Sequence, residues 1–245
     1  MTDKLDLIGK QFPVLDQGWV ELVDYMPHPS TDVSGDLAIV NAARVSFLGE
    51  SKGAEADKKL LMYLLREKHT SPFEMCVYKI RINAPLITWW QWVRHRMASY
   101  NFQSGRYTEF GEDQFYTPAD NQWRRQSSSN KQASEGFIGE ETGIRLTAQL
   151  EHYYALGYSL YKKAIEDGVA REQARLFLPG FSLYYTAIVK MDLHNLLHFL
   201  TLRMHPHAQE EIRVYANTIY NEIVKVMNPW TCEAYEKFVL HTQES

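Results

Sequence analysis

Between Pro72 and Tyr107 the hydrophobic pattern of this chain changes twice, and those changes limit the fold more than any other feature. In "PFEMCVYKIRINA" (72–84) apolar and polar residues alternate, which puts Cys76, Tyr78, Ile80 and Ile82 on one face of a strand. Asn83 and Pro85 then offer a helix start for "PLITWWQWVRHR" (85–96), of which "PLITWWQWV" is largely apolar. The next stretch, "RHRMASYNFQSGRY" (94–107), is abruptly dense in cations, hydroxyls, amides and aromatic rings. A hydrophobic lead-in followed by such a tight polar cluster predicts a site at the end of a buried element.

The remaining segments fill in the class. Residues up to about Ser34 read as mixed strand and loop, with "GWVELVDYM" (18–26) as the strand. Helices are expected over "DLAIVNAARVSF" with Asp36 as N-cap, and over "AEADKKLLMYLLREKH" (54–69), whose last turn is cationic. A long helix is expected from about Glu140 to Asp167, stopped by Gly168. Shorter ones follow over "REQARLFL" (171–178) and over "DLHNLLHFLTLR" (192–203), capped by Asp192. The last runs from about His207 to Val226, before "NPW" breaks it, while "FSLYYTAIV" (181–189) has strand character. Residues 117–136, rich in Ser, Gln and Asn, read as a flexible loop or lid. The expectation is one mixed α+β domain over 1–245, with helices dominating the C-terminal half around a small sheet.

Composition narrows the partners. The chain has 245 residues, 45% hydrophobic and 23% charged, enough to bury a substantial core. A net charge of −4 supplies no positive field for nucleic acid, so no nucleic-acid partner is expected. Cys76 and Cys232 are far apart and form neither a disulfide framework nor a zinc ribbon. "MTDKLDLIGKQF" has no apolar signal core and no run of about 18 apolar residues occurs, so a cytoplasmic protein without a membrane partner is expected.

The cluster itself admits two readings. Successive helical residues lie about 100° apart, so Arg94, His95 and Arg96 would splay around a continuing helix. An extended chain would instead put Arg94 and Arg96 on one side and His95 on the other. Basic residues also simply favour a helix C-terminus. Against that, "SYNFQSGRY" adds hydrogen-bond donors, a glycine that permits close backbone approach, and Arg106, which together suit phosphate and heteroaromatic rings.

"RHRMASYN" resembles the RHRxxSxN signature of the flavin-dependent thymidylate synthases at every fixed position, and "SGRY" follows at the family's spacing. Upstream, "HTSPFEM" (69–75) is similar to the family's histidine-plus-SPFE segment. Downstream, "ARLFLP", "LLHFLTLR", "HAQEEIRVYA" and "NPWTCEAY" resemble later family segments in the same order, so the likeness spans roughly Asp36 to Phe238. It implies a methyltransferase that makes dTMP from dUMP. Methylenetetrahydrofolate would be the carbon donor, NADPH the reductant and FAD the hydride carrier. It also implies a homotetramer whose sites are shared between subunits. No GxGxxG follows a strand, so the flavin would be held by arginines and other side chains.

Carried over by position, the resemblance assigns nucleotide contacts to Gln91, Trp92, Val93, Arg94, Gln103, Ser104, Gly105, Arg106, Arg175 and Arg203. It assigns flavin contacts to Ser71, Arg94, His95, Arg96, Asp192, Leu193, His194 and His198. Arg203 resembles the arginine that favours ionisation of uracil at N3. A unit charge about 4 Å away is worth roughly 4 kcal/mol at an effective dielectric near 20, or up to about 3 pKa units before desolvation. Ser104 is either a nucleophile, which would need a neighbouring base, or a turn serine bonding the ligand or its own backbone. His69 either relays protons near the folate or is a histidine favoured by a helix terminus. The sequence departs from the family at Phe102, where Glu is common, at Met75, where His is frequent, and at His198, where some members have Asn.

Two rivals remain at this stage. His194 and His198 share a helical face, which suggests a metal-dependent nucleotide hydrolase, but "HNLLH" lacks the glutamate of HExxH and no metal is expected. Arg94, Arg96 and Arg106 with nearby aromatics could also stack on single-stranded nucleic acid. Trp89, Trp90 and Trp92 could stack on a ring, or be core or subunit interface.

Overall fold

The computed structural model describes residues 4–131 and 133–240. Its strands are, in chain order, β1 (Gln11–Val14), β2 (Gly18–Met26), β3 (Val77–Pro85), β4 (Ser99–Phe102), β5 (Arg124–Gln126), β6 (Ser134–Phe137) and β7 (Tyr184–Asp192). Five of them form one sheet in the order β1-β2-β3-β7-β4, antiparallel throughout. The central pairing, β3 with β7, runs from Val77 opposite Asp192 to Pro85 opposite Tyr184. The alternation in β3 does what period 2 requires: Tyr78, Ile80 and Ile82 are buried on one face.

The helices are α1 (Gly35–Arg44), α2 (Ala54–Arg66), α3 (Leu86–Trp92), α4 (Glu140–Glu166), α5 (Arg171–Ala174), α6 (Leu193–Arg203) and α7 (Glu210–Thr218). A π-helical stretch, Ile219–Val224, carries α7 into α8 (Lys225–Met227), and α9 (Pro229–Tyr235) follows. The mixed α+β architecture matches the expectation. The main core lies between the buried face of the sheet and α1, α2, α3, α6, α7 and α9. There Trp92 stacks on Phe199 at 4.9 Å and Trp89 packs 5.2 Å from Trp92. A smaller core under α4 gathers Phe110, Phe115, Tyr154, Tyr161 and Leu183.

Two helix boundaries position the site. Helix α3 ends at Trp92, so Arg94–Arg96 are not helical and can point independently. Helix α6 starts directly from β7 and is capped as expected, with Asp192 accepting from Asn195 N at 2.9 Å.

Several expectations are corrected. The cap of α1 is Ser34, whose hydroxyl accepts from Leu37 N; Asp36 lies inside the helix, buried, and binds the start of α9. The helix expected from His207 begins at Glu210 and is not the last, because "NPW" opens α9. "SYNF" is the edge strand β4, paired with β7. The segment 117–136 is not an unstructured loop: it holds a 3-10 turn, Asp120–Gln122, and β5 and most of β6, which pair as a two-stranded ribbon.

Candidate active site around Arg203

Arg203, the last residue of α6, sits where three clefts meet. The first, of about 510 Å³, is lined by Arg94, His95, Arg96, Met97, Met191, Asn195, His198 and Leu202 as well as Arg203. The second, of about 820 Å³, lies between α3, the ribbon and the chain leading into α7. A third, also of about 510 Å³, is lined by Thr201, Leu202, His205, His207 and Ala208 with Arg203.

The guanidinium of Arg203 is fully oriented. Its Nε donates to His95 Nε2 at 3.0 Å, one terminal nitrogen donates to Gln91 Oε1 at 3.1 Å, and the other to the Gln91 carbonyl at 3.2 Å. Burial and the nearby Arg94 lower its pKa from the ordinary guanidinium value, yet the group stays cationic at neutral pH. His95 must accept at Nε2, so its ring proton is on Nδ1. Burial first, then the charges of Arg203 and His198, push the His95 pKa down to about 4, and the ring is neutral at pH 7. Tyr100 Oη holds the His95 carbonyl at 2.7 Å, which locks the turn after α3.

Arg94 and Arg96 are exposed and have no carboxylate partner among the described residues. With Arg203 they leave an uncompensated positive cluster in the smaller cleft, while His95, His198 and Asn195 supply hydrogen-bonding groups. This donor set fits an anionic dinucleotide such as FAD.

A second group forms at the other end of β7. After β4, Ser104 heads a turn in which its hydroxyl accepts from Arg106 N at 3.3 Å and its carbonyl accepts from Tyr107 N at 3.1 Å. Gly105 is buried, and a Cβ there would lie 2.5 Å from the Phe110 ring, so only glycine fits this turn. Arg106 pairs with Glu172 at 3.0 Å, and Arg175 Nε donates to the Glu172 carbonyl at 3.3 Å. Gln103 extends the β4–β7 ladder, with its N–H bonded to the Thr186 carbonyl.

The predicted residues therefore divide. Gln91, Arg94, His95, Arg96, His198 and Arg203 converge, whereas Gln103, Ser104, Gly105, Arg106 and Arg175 form the distal group. The other predicted residues lie elsewhere in the fold. Trp92 is in the core, 2% exposed, and turns no ring face to a cleft. Leu193 is fully buried. Val93 is exposed at the end of α3. Asp192 acts as the cap of α6, and His194 is not among the residues lining the clefts. Ser71 and His69 are exposed outside these clefts, with the His69 ring edge-on to Tyr63 at 5.9 Å. Trp90, 62% exposed, packs on Phe181. Sequence reading missed Asn195, three residues after the α6 cap, and Arg124, Gln209, Glu211 and Arg213 around the larger cleft. "HAQEEIR" was the available signal for the last three.

The histidines give the hydrolase reading no support: only His198 of the pair lines the cleft, and no group of three or more His, Cys, Asp or Glu able to hold a metal occurs among the described residues.

A family model described as thymidylate synthase complementing protein matches residues 21–229. A flavin-dependent thymidylate synthase of Thermus thermophilus is 46% identical over 228 residues, which is 93% of this chain and 79% of that protein. The enzyme of the same name from Wolbachia pipientis wMel is 42% identical over 241 residues, 98% of this chain and 80% of that one. Among solved structures, the UMP/dUMP methylase PolB of Streptomyces cacaoi bound with 5-Br dUMP superposes with a TM-score of 0.79 at 31% identity. That match covers 93% of this chain and 98% of PolB. The sequence signature, the ordered motifs and the convergence on Arg203 agree with these likenesses: the chain belongs to the flavin-dependent thymidylate synthase family.

Proposed function

We propose that the clefts meeting at Arg203 are the site at which this chain converts dUMP to dTMP. Methylenetetrahydrofolate is the carbon donor and FAD, reduced by NADPH, is the cofactor. The observation that carries the reading is the fixed, cationic Arg203 beside Gln91 and the unpaired Arg94 and Arg96.

Arg94, His95 and Arg96 hold the flavin in the smaller cleft, with Asn195 and His198 on its wall. The chemistry that bound FAD supplies is the hydride that turns a transferred methylene into a methyl group. Arg203 stabilises the uracil ring ionised at N3, the N3 proton being lost to solvent, and so makes C5 a better nucleophile; the guanidinium itself keeps its charge at neutral pH. The Gln91 carboxamide, fixed by Arg203, presents a donor to the ring. His95 holds Arg203 in place. Its Nε2 is already occupied and its pKa is low, so it is not the base.

Arg106 and Arg175 complete the site from a second copy of the chain, where the Ser104–Arg106 turn and the two guanidiniums meet the nucleotide phosphate. The surface beside them supports assembly. Leu176, Phe177 and Phe181 are exposed with Trp90, and Tyr153, Leu156 and Leu160 form an exposed apolar stripe on α4. A homotetramer covers these faces, and a cytoplasmic setting suits its small-molecule substrates.

The test is an anaerobic assay of the purified protein with dUMP, methylenetetrahydrofolate, NADPH and added or withheld FAD. Thymidylate formed only with flavin is the expected result. Flavin-loaded, folded protein that makes none would overturn the reading.

A further inference from the structure

The turn that leads out of α3 has little packing of its own. Val93 and Met97, on either side of it, are 40% and 72% exposed, and a backbone bond from His95 N to the Trp92 carbonyl closes it at 2.9 Å. The last carbonyls of a helix find no partner inside the helix. Here two other elements supply the donors. Arg203 on α6 gives a terminal nitrogen to the Gln91 carbonyl at 3.2 Å. Tyr100 on β4 places its hydroxyl 3.1 Å from the Trp92 carbonyl and 2.7 Å from that of His95. Burial pushes the Tyr100 pKa up to about 12, so the phenol remains a donor at neutral pH. Tyr100 is itself held in place. Its backbone faces Val189 in the β4–β7 ladder, and its ring stacks on Phe102 at 6.1 Å with the planes 15° apart. Phe102 in turn meets the buried Trp89 edge-on at 4.8 Å. A glutamate, common in the family at position 102, has no ring to offer this stack.

We propose that Tyr100 is a positioning residue for the reaction, with Phe102 as its brace: it fixes the His95 backbone so that the imidazole aims Arg203. The proposal rests on the reading that Arg203 acts on the uracil ring. The chain of contacts is continuous. Tyr100 Oη holds the His95 carbonyl, His95 Nε2 accepts from Arg203 Nε at 3.0 Å, and the rest of that guanidinium ends on the Gln91 carboxamide and carbonyl. The end of α3 is thus gripped from β4 and from α6, and the two grips meet in one residue. β4 takes the backbone of His95 and α6 takes its ring. The ring's other neighbours, His198 at 6.2 Å and Phe199 at 4.9 Å, are also on α6. A shift of the His95 backbone therefore moves the imidazole relative to all three. Misplacing a reacting group by about 1 Å can cost on the order of 10²-fold in rate. Arg203 keeps its bonds to Gln91 when the clamp is lost, so the expected loss is smaller.

The experiment compares flavin-loaded wild type with Tyr100→Phe, which keeps the ring and its stack and loses only the hydroxyl. In Tyr100→Phe the kcat for thymidylate should fall about tenfold, the scale of one lost hydrogen bond. Flavin absorbance and the KM for methylenetetrahydrofolate should stay at wild-type values, because an interaction felt in the transition state is lost from kcat. Phe102→Leu, which keeps apolar bulk but removes the brace, should lower kcat in the same way and by less. An NMR titration of the His95 imidazole supplies a second readout. Its step should move up from about pH 4 toward 6.5 in Tyr100→Phe, as the ring leaves its half-buried seat beside Arg203. A hydroxyl that served only the stability of the fold would lower the melting temperature and leave kcat and the imidazole titration where they are. Added to Arg203→Ala, Tyr100→Phe should cost no further turnover, since its effect runs through the missing guanidinium. An unchanged kcat or an unmoved imidazole step in folded Tyr100→Phe overturns the proposal, and so does a second tenfold loss on the Arg203→Ala background. Near wild-type turnover in Arg203→Ala alone would instead strike the reading of the Arg203 site, and the titration would then test the clamp by itself.

Discussion

Arg203 and His95 are joined by a 3.0 Å hydrogen bond from guanidinium Nε to imidazole Nε2, and each side chain thereby fixes the state of the other. The arginine cannot rotate away from the cleft without leaving an acceptor unpaired. The histidine cannot take up a proton at Nε2 without breaking that bond. A cation that never titrates is thus held by a base that does not titrate near neutrality.

The first prediction concerns the charge and its direction. Arg203→Lys keeps a cation but loses the planar fork that reaches His95 and both Gln91 oxygens. Thymidylate formation at saturating substrate should fall about 10²-fold in Arg203→Lys and further in Arg203→Ala, the scale of losing one preorganised electrostatic group. Flavin absorbance should persist in both. Near wild-type turnover in Arg203→Ala would remove Arg203 from the chemistry.

The second follows from the His95 pKa. The folded protein keeps this ring neutral down to about pH 4, whereas the unfolded chain protonates it near 6.5. Between those values the unfolded state binds more protons, so stability falls as pH drops from 6.5 toward 4. His95→Gln, whose amide oxygen can still accept from Arg203, should flatten that slope. Denaturant midpoints at pH 5 and pH 7, for wild type and variant, check it, and an NMR titration of the imidazole should show no step near 6.5.

Much of this arrangement is written in local patterns. The alternation around β3 and the cap at Asp192 each depend on residues within a few positions, and both appear where the sequence puts them. The ribbon is different. "RRQSSSNKQASEG" is almost wholly polar, and its strands are tied to the body by a guanidinium anchored on Glu211, 87 residues away. Asp36 misleads for the same reason: its position suits a cap, but its partners Trp230 and Thr231 lie 194 and 195 residues on. The order of the arginine motifs pointed to shared function, yet it carried no information about which end of β7 each would occupy. Arg106 and Arg175 lie by Glu172 and Arg203 by His95 because β4 and α6 leave β7 at opposite ends.

The third prediction contrasts two neighbours in one turn. The Ser104 hydroxyl accepts from Arg106 N and has no hydrogen-bonded base among the described residues, so it shapes the turn. Ser104→Ala should lower turnover without abolishing it; complete loss in folded protein would make this serine a nucleophile after all. Gly105→Ala should do more damage, because its Cβ would meet the buried Phe110 ring at 2.5 Å. An overpacked site of this kind costs about 1–3 kcal/mol, which thermal melting can read.

The fourth concerns the join between α1 and α9. Asp36 Oδ1 accepts from Thr231 N at 3.1 Å, Thr231 Oγ1 at 2.7 Å and Asn228 Nδ2 at 3.3 Å, while Oδ2 accepts from Trp230 N at 2.8 Å. Burial raises the Asp36 pKa above the usual carboxylate value of 3.8, and these donors only partly offset it. A folded-state pKa that is raised means the native protein binds more protons than the unfolded chain just above pH 3.8, so this group's contribution to stability declines as pH rises through that window. Asp36→Asn removes that pH dependence, but its amide nitrogen cannot accept from Trp230 N. One buried donor is left unpaired, at about 1–3 kcal/mol. Asp36→Ala leaves all four donors without their acceptor and should cost more than Asp36→Asn. Equal melting temperatures for the two variants would show that the carboxylate's hydrogen bonds, rather than its bulk, contribute little to holding α9 on the body.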